Sequence, residues 1–274
     1  MKFNLTSIKR LVLLVGVLFF IIPQSLMAQK QKPQNLRTYD NEPYHFGFII
    51  ALNRMYYSFD YKDNYQTTPI SGSLIPKTDE SPYYNRDYTY FTRSITPMRN
   101  EGFTVGVVGN LRLGKYFDLR LIPSLSFGTR TVKYDFYKLA DLGNMANKQN
   151  TPFSIEKSIF STFVELPLQV KYRSKRLNNI AAYVIAGGNF KIDLASQKKD
   201  KTEDDVINNI KVKRTDLAAE IGAGFDFYNG YFKFGIEAKM SIGLLNILDS
   251  QNIIYDTSLK GIQNRTFQIS LTFE

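Results

Sequence analysis

The chain has 274 residues, of which 43% are hydrophobic, an ordinary fraction that excludes a bundle of transmembrane helices. Cysteine is absent, which excludes disulfides and thiolate metal sites, and the formal net charge is +10. The length allows either one large β domain or two domains of average size.

The first 28 residues have the layout of a secretory signal peptide. A basic start that contains Lys2, Lys9 and Arg10 precedes the apolar run LVLLVGVLFFII, and PQSLMA then offers a cleavage site. The apolar run is shorter than the ~20 residues that a spanning helix needs, which favours a cleaved peptide over an uncleaved membrane anchor. Gln29 rather than cysteine follows the cleavage site, so a lipoprotein is excluded.

The charge that remains after cleavage bears on partners. Removing residues 1–28 leaves 32 basic and 25 acidic residues, a net charge of +7. A basic exported protein is not expected to bind nucleic acid. The expected counter-charge is the anionic surface of outer-membrane lipid, and a generally solvated basic surface is the alternative. No pattern for a small-molecule substrate is evident.

Eight long segments alternate apolar and polar residues, which is typical of strands. In YFKFGIEAKMSIG (231–243), Ile236 falls on the apolar face and Gly235 on the polar face. Pro123 and Pro167 lie inside two segments, where each predicts a bulge or irregular pairing. The eight predicted strands are 44–60, 99–114, 116–133, 157–174, 179–196, 211–228, 231–246 and 260–274.

The connections alternate strictly between short and long. Three are tight, and one contains Asn229-Gly230, the strongest two-residue hairpin signal. The other four are polar and run from about 13 to about 38 residues. This is the pattern of outer-membrane barrels, with short periplasmic turns and long extracellular loops. We predict an all-β fold, an eight-stranded antiparallel up-and-down transmembrane β-barrel, with both termini in the periplasm.

The polar face determines which side meets lipid. It contains Gly222, Gly224 and Gly235, which weaken a water-facing strand but give room inside a narrow barrel. It also carries seven basic and seven acidic residues, a neutral set that suits a closed interior. The apolar face is therefore predicted to meet lipid. The predicted lumen charge network comprises Arg112, Arg120, Glu165, Lys171, Arg173, Lys191, Glu220, Lys233, Glu237 and Lys239, beside Asp118, Asp193, Asp216 and Asp226.

Aromatic residues gather near the tight turns, where a girdle at the membrane interface would lie. Ordinary enrichment of aromatic residues in strands is the alternative. The predicted girdle is Tyr44, Phe46, Tyr116, Phe117, Tyr172, Phe225, Phe227, Tyr228, Tyr231, Phe232 and Phe273.

Catalytic and metal chemistry find little support. His45 is the single histidine, and no G-x-S-x-G sequence accompanies it. One histidine without cysteine argues against zinc. Asp60 and Asp63 could bind Ca²⁺ in the first long loop or simply be solvated. We therefore expect no enzyme activity, no catalytic residues, no cofactor and no bound metal.

A basic cluster, KYRSKR (171–176), flanks the second tight turn. Lys171 and Arg173 are predicted to point into the barrel, whereas Lys175 and Arg176 lie in the turn. These two residues form a predicted docking turn for an acidic periplasmic partner. Phospholipid headgroups or plain solvation of the turn are the alternatives.

Five stretches that together span most of the mature chain carry a family resemblance. They are HFGFIIALN (45–53), LRLGKYFDLRLIPSLSFG (111–128), FVELPLQVKYRSKRLNN (163–179), DLASQKK (193–199) and GFDFYNGYFKFGIEAKMSIG (224–243). They resemble the PorT family, the outer-membrane barrel component of the type IX secretion system. The combination of ELPLQVKYRSKR with LASQKK is the most specific part of the resemblance.

The resemblance implies a Gram-negative outer-membrane protein required for protein export through the type IX system. It implies other components of that machine as partners, and a link to gliding motility in some relatives. An eight-stranded interior is filled by side chains and is too narrow to conduct the exported proteins. The alternative function is that of a general small outer-membrane barrel, an adhesin or envelope-stabilising protein that acts through its extracellular loops. The expected division is a signal peptide 1–28, a short periplasmic segment 29–43 and a barrel domain 44–274.

Overall fold

The computed structural model describes residues 33–71, 89–139, 151–195, 211–249 and 257–274. The predicted signal peptide and the LASQKK sequence beyond Ala195 lie outside these residues. Contacts are described below for the compact unit Asn35–Glu274.

Eleven β-strands and one 3-10 turn, Tyr39–Asn41, form the described part of the chain. No helix in that part is long and apolar enough to cross a membrane. The strands are β1 (Tyr44–Tyr61), β2 (Ile70–Ser71), β3 (Thr89–Met98), β4 (Asn100–Arg112), β5 (Phe117–Leu121), β6 (Ser124–Leu139), β7 (Thr151–Arg173), β8 (Ile180–Asp193), β9 (Thr215–Tyr228), β10 (Lys233–Gly243) and β11 (Leu259–Phe273).

The strands form one antiparallel sheet that closes on itself. β1 pairs with β11 along one edge and with β4 along the other, and β7 to β11 follow each other as neighbours. Closure leaves no open sheet edge in the ring, which lipid could not satisfy. The predicted fold class is confirmed: the protein is an all-β, antiparallel, up-and-down barrel.

The count of eleven strands differs from the predicted eight for three reasons. β2 is an additional short strand in the first long connection. β3 lies outside the predicted strands, in the first predicted long connection, and it continues β4 across an interruption at Arg99, where five steps from Met98 to Phe103 oppose four steps on β6. One extra residue on one strand is a β-bulge. β5 and β6 belong to one predicted strand, interrupted at Ile122 and Pro123.

Neither strand proline forms a bulge, but Pro123 interrupts its strand, which is the irregular pairing that was the other expected outcome. The register of β5 and β6 against β7 is unchanged across Pro123, from Leu121 opposite Leu168 to Ser124 opposite Glu165. Pro167 lies within an unbroken β7–β8 ladder, opposite Asn189. Pro123 lacks a backbone N–H and therefore interrupts the ladder without shifting it.

The predicted faces are those observed through the membrane-spanning part. Ile236 is 41% exposed on the outside, whereas Gly235 is buried. On β7 the outward side chains are predominantly apolar from Tyr172 to Phe160, and beyond them come Ser158, Glu156 and Ser154. Twelve steps of ~3.3 Å along a strand tilted by about 45° span roughly 28 Å, which matches an apolar band about 25 Å tall.

At the long-loop end the apolar side chains point inward and the polar ones outward, the reverse of the predicted faces. On β6, Tyr134 and Phe136 point inward and are fully buried, while Lys133 and Asp135 lie on the outer face. Water now surrounds the barrel, so burial of apolar side chains favours the interior again. This second core contains Tyr57, Ile70, Tyr90, Ile95, Val132, Tyr134, Phe136, Phe153, Ile155, Ile247, Leu248, Leu259 and Ile262.

Candidate functional site

The candidate site is the charged lumen together with the segment 35–43, which lies at the short-turn end. Nine of the ten residues of the predicted lumen charge network are buried in the barrel. Arg112 is the tenth: it is partly exposed at the rim, where its Nε donates to the carbonyl oxygen of Gly114, 3.0 Å away, in its own turn.

Two ion pairs lie in the lumen nearest the short turns. Arg120 Nη1 is 2.7 Å from Glu237 Oε2, and both side chains are fully buried. Lys171 Nζ is 2.7 Å from Asp226 Oδ2 and lies 3.7 Å from the centroid of the Tyr183 ring. The Tyr183 hydroxyl also donates to Glu237 Oε2 at 3.1 Å, so one carboxylate joins two elements. Paired and hydrogen-bonded charges are the form in which charge persists in a closed interior.

The middle of the lumen is organised around Glu220. Lys239 Nζ is 3.2 Å from its Oε2, and Asn189 Nδ2 donates to its Oε1 at 2.8 Å. The same Asn189 amide donates to Glu165 at 2.9 Å, and Lys191 Nζ is 3.4 Å from Glu165. These polar side chains connect β7, β8, β9 and β10 across the barrel.

Arg130 lies at the long-loop end of the charge network, next to the second core. Its guanidinium lies 3.0 Å from Asp193 and donates to Ser161 and Asn264. It also lies 4.7 Å from the ring centroid of Tyr57, so it joins the charged layer to the apolar one. The sequence reading missed Arg130, although its even-numbered position on β6 shares the inward parity of Ser124 and Ser126.

Glu274 lies at the short-turn end of the charge network. It was not predicted from the sequence either. Lys233 Nζ is 2.7 Å from Glu274 Oε2, and both side chains are almost fully buried. The Tyr39 hydroxyl donates to the same oxygen at 3.3 Å, and the Lys233 ammonium lies 4.9 Å from the Tyr39 ring centroid. Glu274 continues the inward parity of Ser270 and Thr272, a signal that could have identified it.

Asp40 joins the segment 35–43 to the barrel. Its carboxylate lies 2.5 Å from Arg173 and 3.4 Å from Arg176, and it accepts a hydrogen bond from the Tyr228 hydroxyl at 3.0 Å. Asn35 adds two bonds, from its backbone N–H to Asn179 Oδ1 at 2.8 Å and from its side chain to the Tyr228 carbonyl at 3.1 Å. We call this set of contacts the latch. A short segment without periodicity gives no sequence signal for it.

The pKa of Asp40 follows from these contacts. Burial by itself disfavours the carboxylate, but the charge of Arg173 and the hydrogen bonds from Tyr228 and Arg173 outweigh that effect. The pKa of Asp40 is consequently held below its ordinary value of 3.8. Burial, and then the neighbouring Glu274 carboxylate, raise the pKa of Tyr39, so the phenol remains a hydrogen-bond donor.

The predicted docking turn divides into two different environments. Lys175 is exposed. The Arg176 side chain is only 8% exposed: it donates to the carbonyl oxygens of Asn35 and Leu36 and lies 3.6 Å from the Tyr228 ring centroid. Arg176 therefore serves the latch instead of being presented to solvent. Lys175 alone keeps the accessibility that docking needs.

Ten of the eleven residues of the predicted aromatic girdle are at least partly exposed. Phe46, Tyr172 and Phe225 point outward with about half or more of their surface exposed. Tyr228 is only 3% exposed and points inward, because its parity on β9 is that of Asp226. It belongs to the latch and not to the girdle.

The candidate catalytic and metal-binding residues lie in ordinary contacts in the described part of the chain. His45 stacks on Tyr39, with 3.7 Å between ring centroids, and its Nδ1 lies 3.9 Å from Glu42. Among the described residues, no three His, Cys, Asp or Glu side chains converge as a metal site. Of the two candidate calcium ligands, Asp63 lies 3.2 Å from Lys260 Nζ in an exposed ion pair, and Asp60 is exposed.

Comparison with known proteins identifies the broad class. The sequence model of a family described as "Outer membrane protein beta-barrel domain" matches residues 27–249. Among curated proteins, none has a sequence that matches this chain.

Two solved structures illustrate the structural similarity. One is Ail, the attachment invasion locus protein of Yersinia pestis, in complex with the heparin analogue sucrose octasulfate. It is 10% identical, covers 85% of this chain and 98% of its own, and has a TM-score of 0.34. The other is the N-terminal β-barrel domain of Pseudomonas aeruginosa OprF. It is also 10% identical, covers 82% of this chain and 97% of its own, and has a TM-score of 0.26.

Proposed function

This chain belongs to the outer membrane protein β-barrel domain family, and from that premise we propose that it is a non-enzymatic outer-membrane barrel required for protein export through the type IX secretion system. In this proposal a signal peptide, 1–28, is removed on export. The segment 29–43 and the short turns face the periplasm, and the barrel domain, 44–274, spans the outer membrane. Its long connections then reach the cell exterior.

One observation carries the proposal: the stretches that resemble the PorT family contribute several of the buried ion-pair and latch residues. Arg120 lies in 111–128 and its partner Glu237 in 224–243. Lys171 and Arg173 lie in 163–179, in the run that makes the resemblance most specific. A generic barrel needs only alternating strands, so resemblance at the buried ion pairs and the latch favours the narrower family.

The filled lumen supports a role in contacting machine components instead of conducting cargo. Along the barrel axis, between the levels of Lys233 and Arg130, the charged side chains of the lumen are each 0–4% exposed, apart from Arg173 at the rim. An extended chain could not pass without unfolding this network. The barrel would therefore act on export from its surfaces.

The short-turn end offers a composite surface for a periplasmic partner. Lys175 is exposed in the turn between β7 and β8, and Lys115 is exposed in the neighbouring turn between β4 and β5. The segment 35–43 packs against the same end through the latch. Other type IX components are the partners that this surface would serve.

Deletion of the gene tests the proposal. We expect the secreted proteins that depend on the type IX system to be lost from the medium and to accumulate in the cell, and complementation with the full chain to restore them. Where the species glides, gliding should be lost in parallel. An intact secretome would overturn the proposal in favour of an adhesin or envelope-stabilising barrel, which binding to host cells or detergent sensitivity of the deletion strain would reveal.

A further inference from the structure

Three outward side chains form a row across neighbouring strands at the border of the apolar belt. Arg99, at the bulge between β3 and β4, places its guanidinium 5.1 Å from the centroid of the Tyr56 ring on β1. On the other side of Tyr56, Arg265 of β11 occupies the directly paired position. All three lie on the outer face, with Arg99 exposed and the other two partly exposed. We call them the arginine row.

Among the described residues, the arginine row has no ion pair with a carboxylate. In the described part of the chain, Arg265 has a side-chain bond only to the amide oxygen of Gln263, at 3.3 Å, and the Arg99 guanidinium contacts only the Tyr56 ring. The neighbouring carboxylate of Glu101 pairs with Arg54 at 2.6 Å. Both guanidinium groups of the row lie on the outer face, where they can meet an anion outside the barrel.

On the short-turn side of the row, beyond one intervening layer, the surface is apolar. Leu52 of β1 is 74% exposed, and its paired neighbours Phe103 of β4 and Ile269 of β11 are 49% and 50% exposed. Between this layer and the row lie the Arg54–Glu101 ion pair and Phe267. An amphipathic ligand with an anionic head and apolar tails therefore fits the wall in one orientation, with its head on the row.

We propose that the arginine row binds the phosphate groups of a phosphorylated lipid in the leaflet at the long-loop end of the barrel. Its acyl chains lie against Leu52, Phe103 and Ile269. The planar guanidinium group matches phosphate with two parallel hydrogen bonds, which favours arginine over lysine at such a position. Tyr56 holds Arg99 by stacking and places an amphipathic ring at headgroup level. Under the proposed function, this leaflet is the outer one, whose lipid is a phosphorylated glycolipid.

The site chemistry distinguishes a lipid from a free anion. Inorganic phosphate could meet the guanidinium groups, but it would gain nothing from the apolar layer below them. A neutral glycolipid would gain the apolar layer but not the arginine row. Only a ligand with both parts uses the whole surface.

Lipid titration of the purified full chain, followed by native mass spectrometry, tests the proposal. The probes are diphosphoryl lipid A, its dephosphorylated form and inorganic phosphate. We expect the parent protein to retain the phosphorylated lipid preferentially. The Arg99→Gln/Arg265→Gln variant should bind it about tenfold more weakly, the effect of removing two exposed charge interactions of moderate strength. Arg99→Lys/Arg265→Lys should recover only part of the affinity.

A matched variant controls for net charge. Lys133→Gln/Lys260→Gln removes the same two charges at the same end of the barrel, further from the apolar belt, and should bind like the parent. Equal retention of the two lipid forms by the parent would overturn the proposal, whether or not any variant folds. Displacement of the lipid by equimolar inorganic phosphate, or equal losses in the two glutamine variants, would overturn it as well. The assay uses no secretion readout, so its result is independent of the export test.

Discussion

The Asp40 carboxylate lies 2.5 Å from the Arg173 guanidinium, which fastens the segment before the barrel to the end of β7. Asp40→Ala should leave Arg173 and Arg176 short of a partner and release the latch. Loss of one partner of a buried ion pair costs several kcal/mol, and because Asp40 is partly exposed we expect about 1–2 kcal/mol. Urea unfolding in detergent, followed by heat-modifiable gel migration, measures the change.

Glu42→Gln is the matched control for the latch. It removes the same charge from the same segment, but Glu42 is 57% exposed and lies 3.9 Å from His45. Such an exposed contact contributes about 0–1 kcal/mol, so the unfolding midpoint should barely move. If the two variants unfold alike, Asp40 does not fasten the segment.

The latch should also respond to acid with a defined sign. The pKa of Asp40 is lower in the folded state than its ordinary value of 3.8, so the unfolded state binds the proton more readily. The stability that Asp40 contributes is present above its unfolded pKa and is lost as the pH falls through the still lower folded pKa. Protease accessibility of the segment 35–43 should therefore stay constant from neutral pH to about pH 5 and rise only below about pH 4. A rise already between pH 7 and pH 5 would contradict this assignment.

The lumen ion pairs predict a non-additive double-mutant cycle. Glu237→Met leaves the fully buried Arg120 guanidinium without a charge partner 2.7 Å away, and should destabilise the barrel by about 3–5 kcal/mol. Replacing both residues with methionine removes both buried charges and should cost less than the sum of the two single changes. Unfolding by urea in detergent gives all four free energies. Strict additivity would show that the two groups do not interact.

The tight interior predicts opposite outcomes for two adjacent glycines of β8. A Cβ built on Gly187 would lie 2.2 Å from the Leu168 carbonyl oxygen, whereas one on Gly188 would meet its nearest atom at 3.9 Å. Gly187→Ala should therefore cost about 1–3 kcal/mol by overpacking. Gly188→Ala, one residue along on the outer face, should be nearly neutral. Equal unfolding midpoints for the two variants would contradict the inward assignment of Gly187.

Alternation of side chains was sufficient to predict the ring and most of the lumen. Arg120, Lys171 and Glu237 were placed correctly because parity along a strand fixes the face. β3 was missed since register shifts near Thr92 and at Arg99 break the alternation that would have extended the strand into the loop. The ion-pair partners across the lumen could not be predicted from the sequence. Parity gives the face on which a side chain lies, but not its height along the barrel axis relative to a side chain on another strand.

The latch and the second core could not be predicted from the sequence, for two different reasons. The contacts of Asp40 join residues more than 130 positions apart, and no local pattern announces them. On β6 the apolar face changes from outward at Leu125 to inward at Tyr134 without a change of parity. The apolar face changes at the boundary between lipid and water. The change can be predicted only when the position of that boundary is known.

At the short-turn surface, Lys175 allows docking to be tested separately from folding. Reversing the charge of Arg176 would break the latch and so confuse folding with docking, whereas Lys175 is exposed. We therefore expect Lys175→Glu to insert normally and to reduce type IX secretion if the turn meets an acidic partner. One exposed charge contact contributes about 0–1 kcal/mol, and reversal turns attraction into repulsion, so a several-fold reduction is the expected size.

Lys115→Glu makes the same change in the neighbouring turn of the composite surface and shows how far the docking surface extends. Secreted-protein level and heat-modifiable migration should be measured in the same cultures. Normal migration with reduced secretion in Lys175→Glu alone assigns docking to the turn between β7 and β8. Reduced secretion in both variants extends the surface to both turns. Normal secretion in both would exclude these turns as the docking surface and direct attention to the long loops at the opposite end, where a partner would approach from the cell exterior.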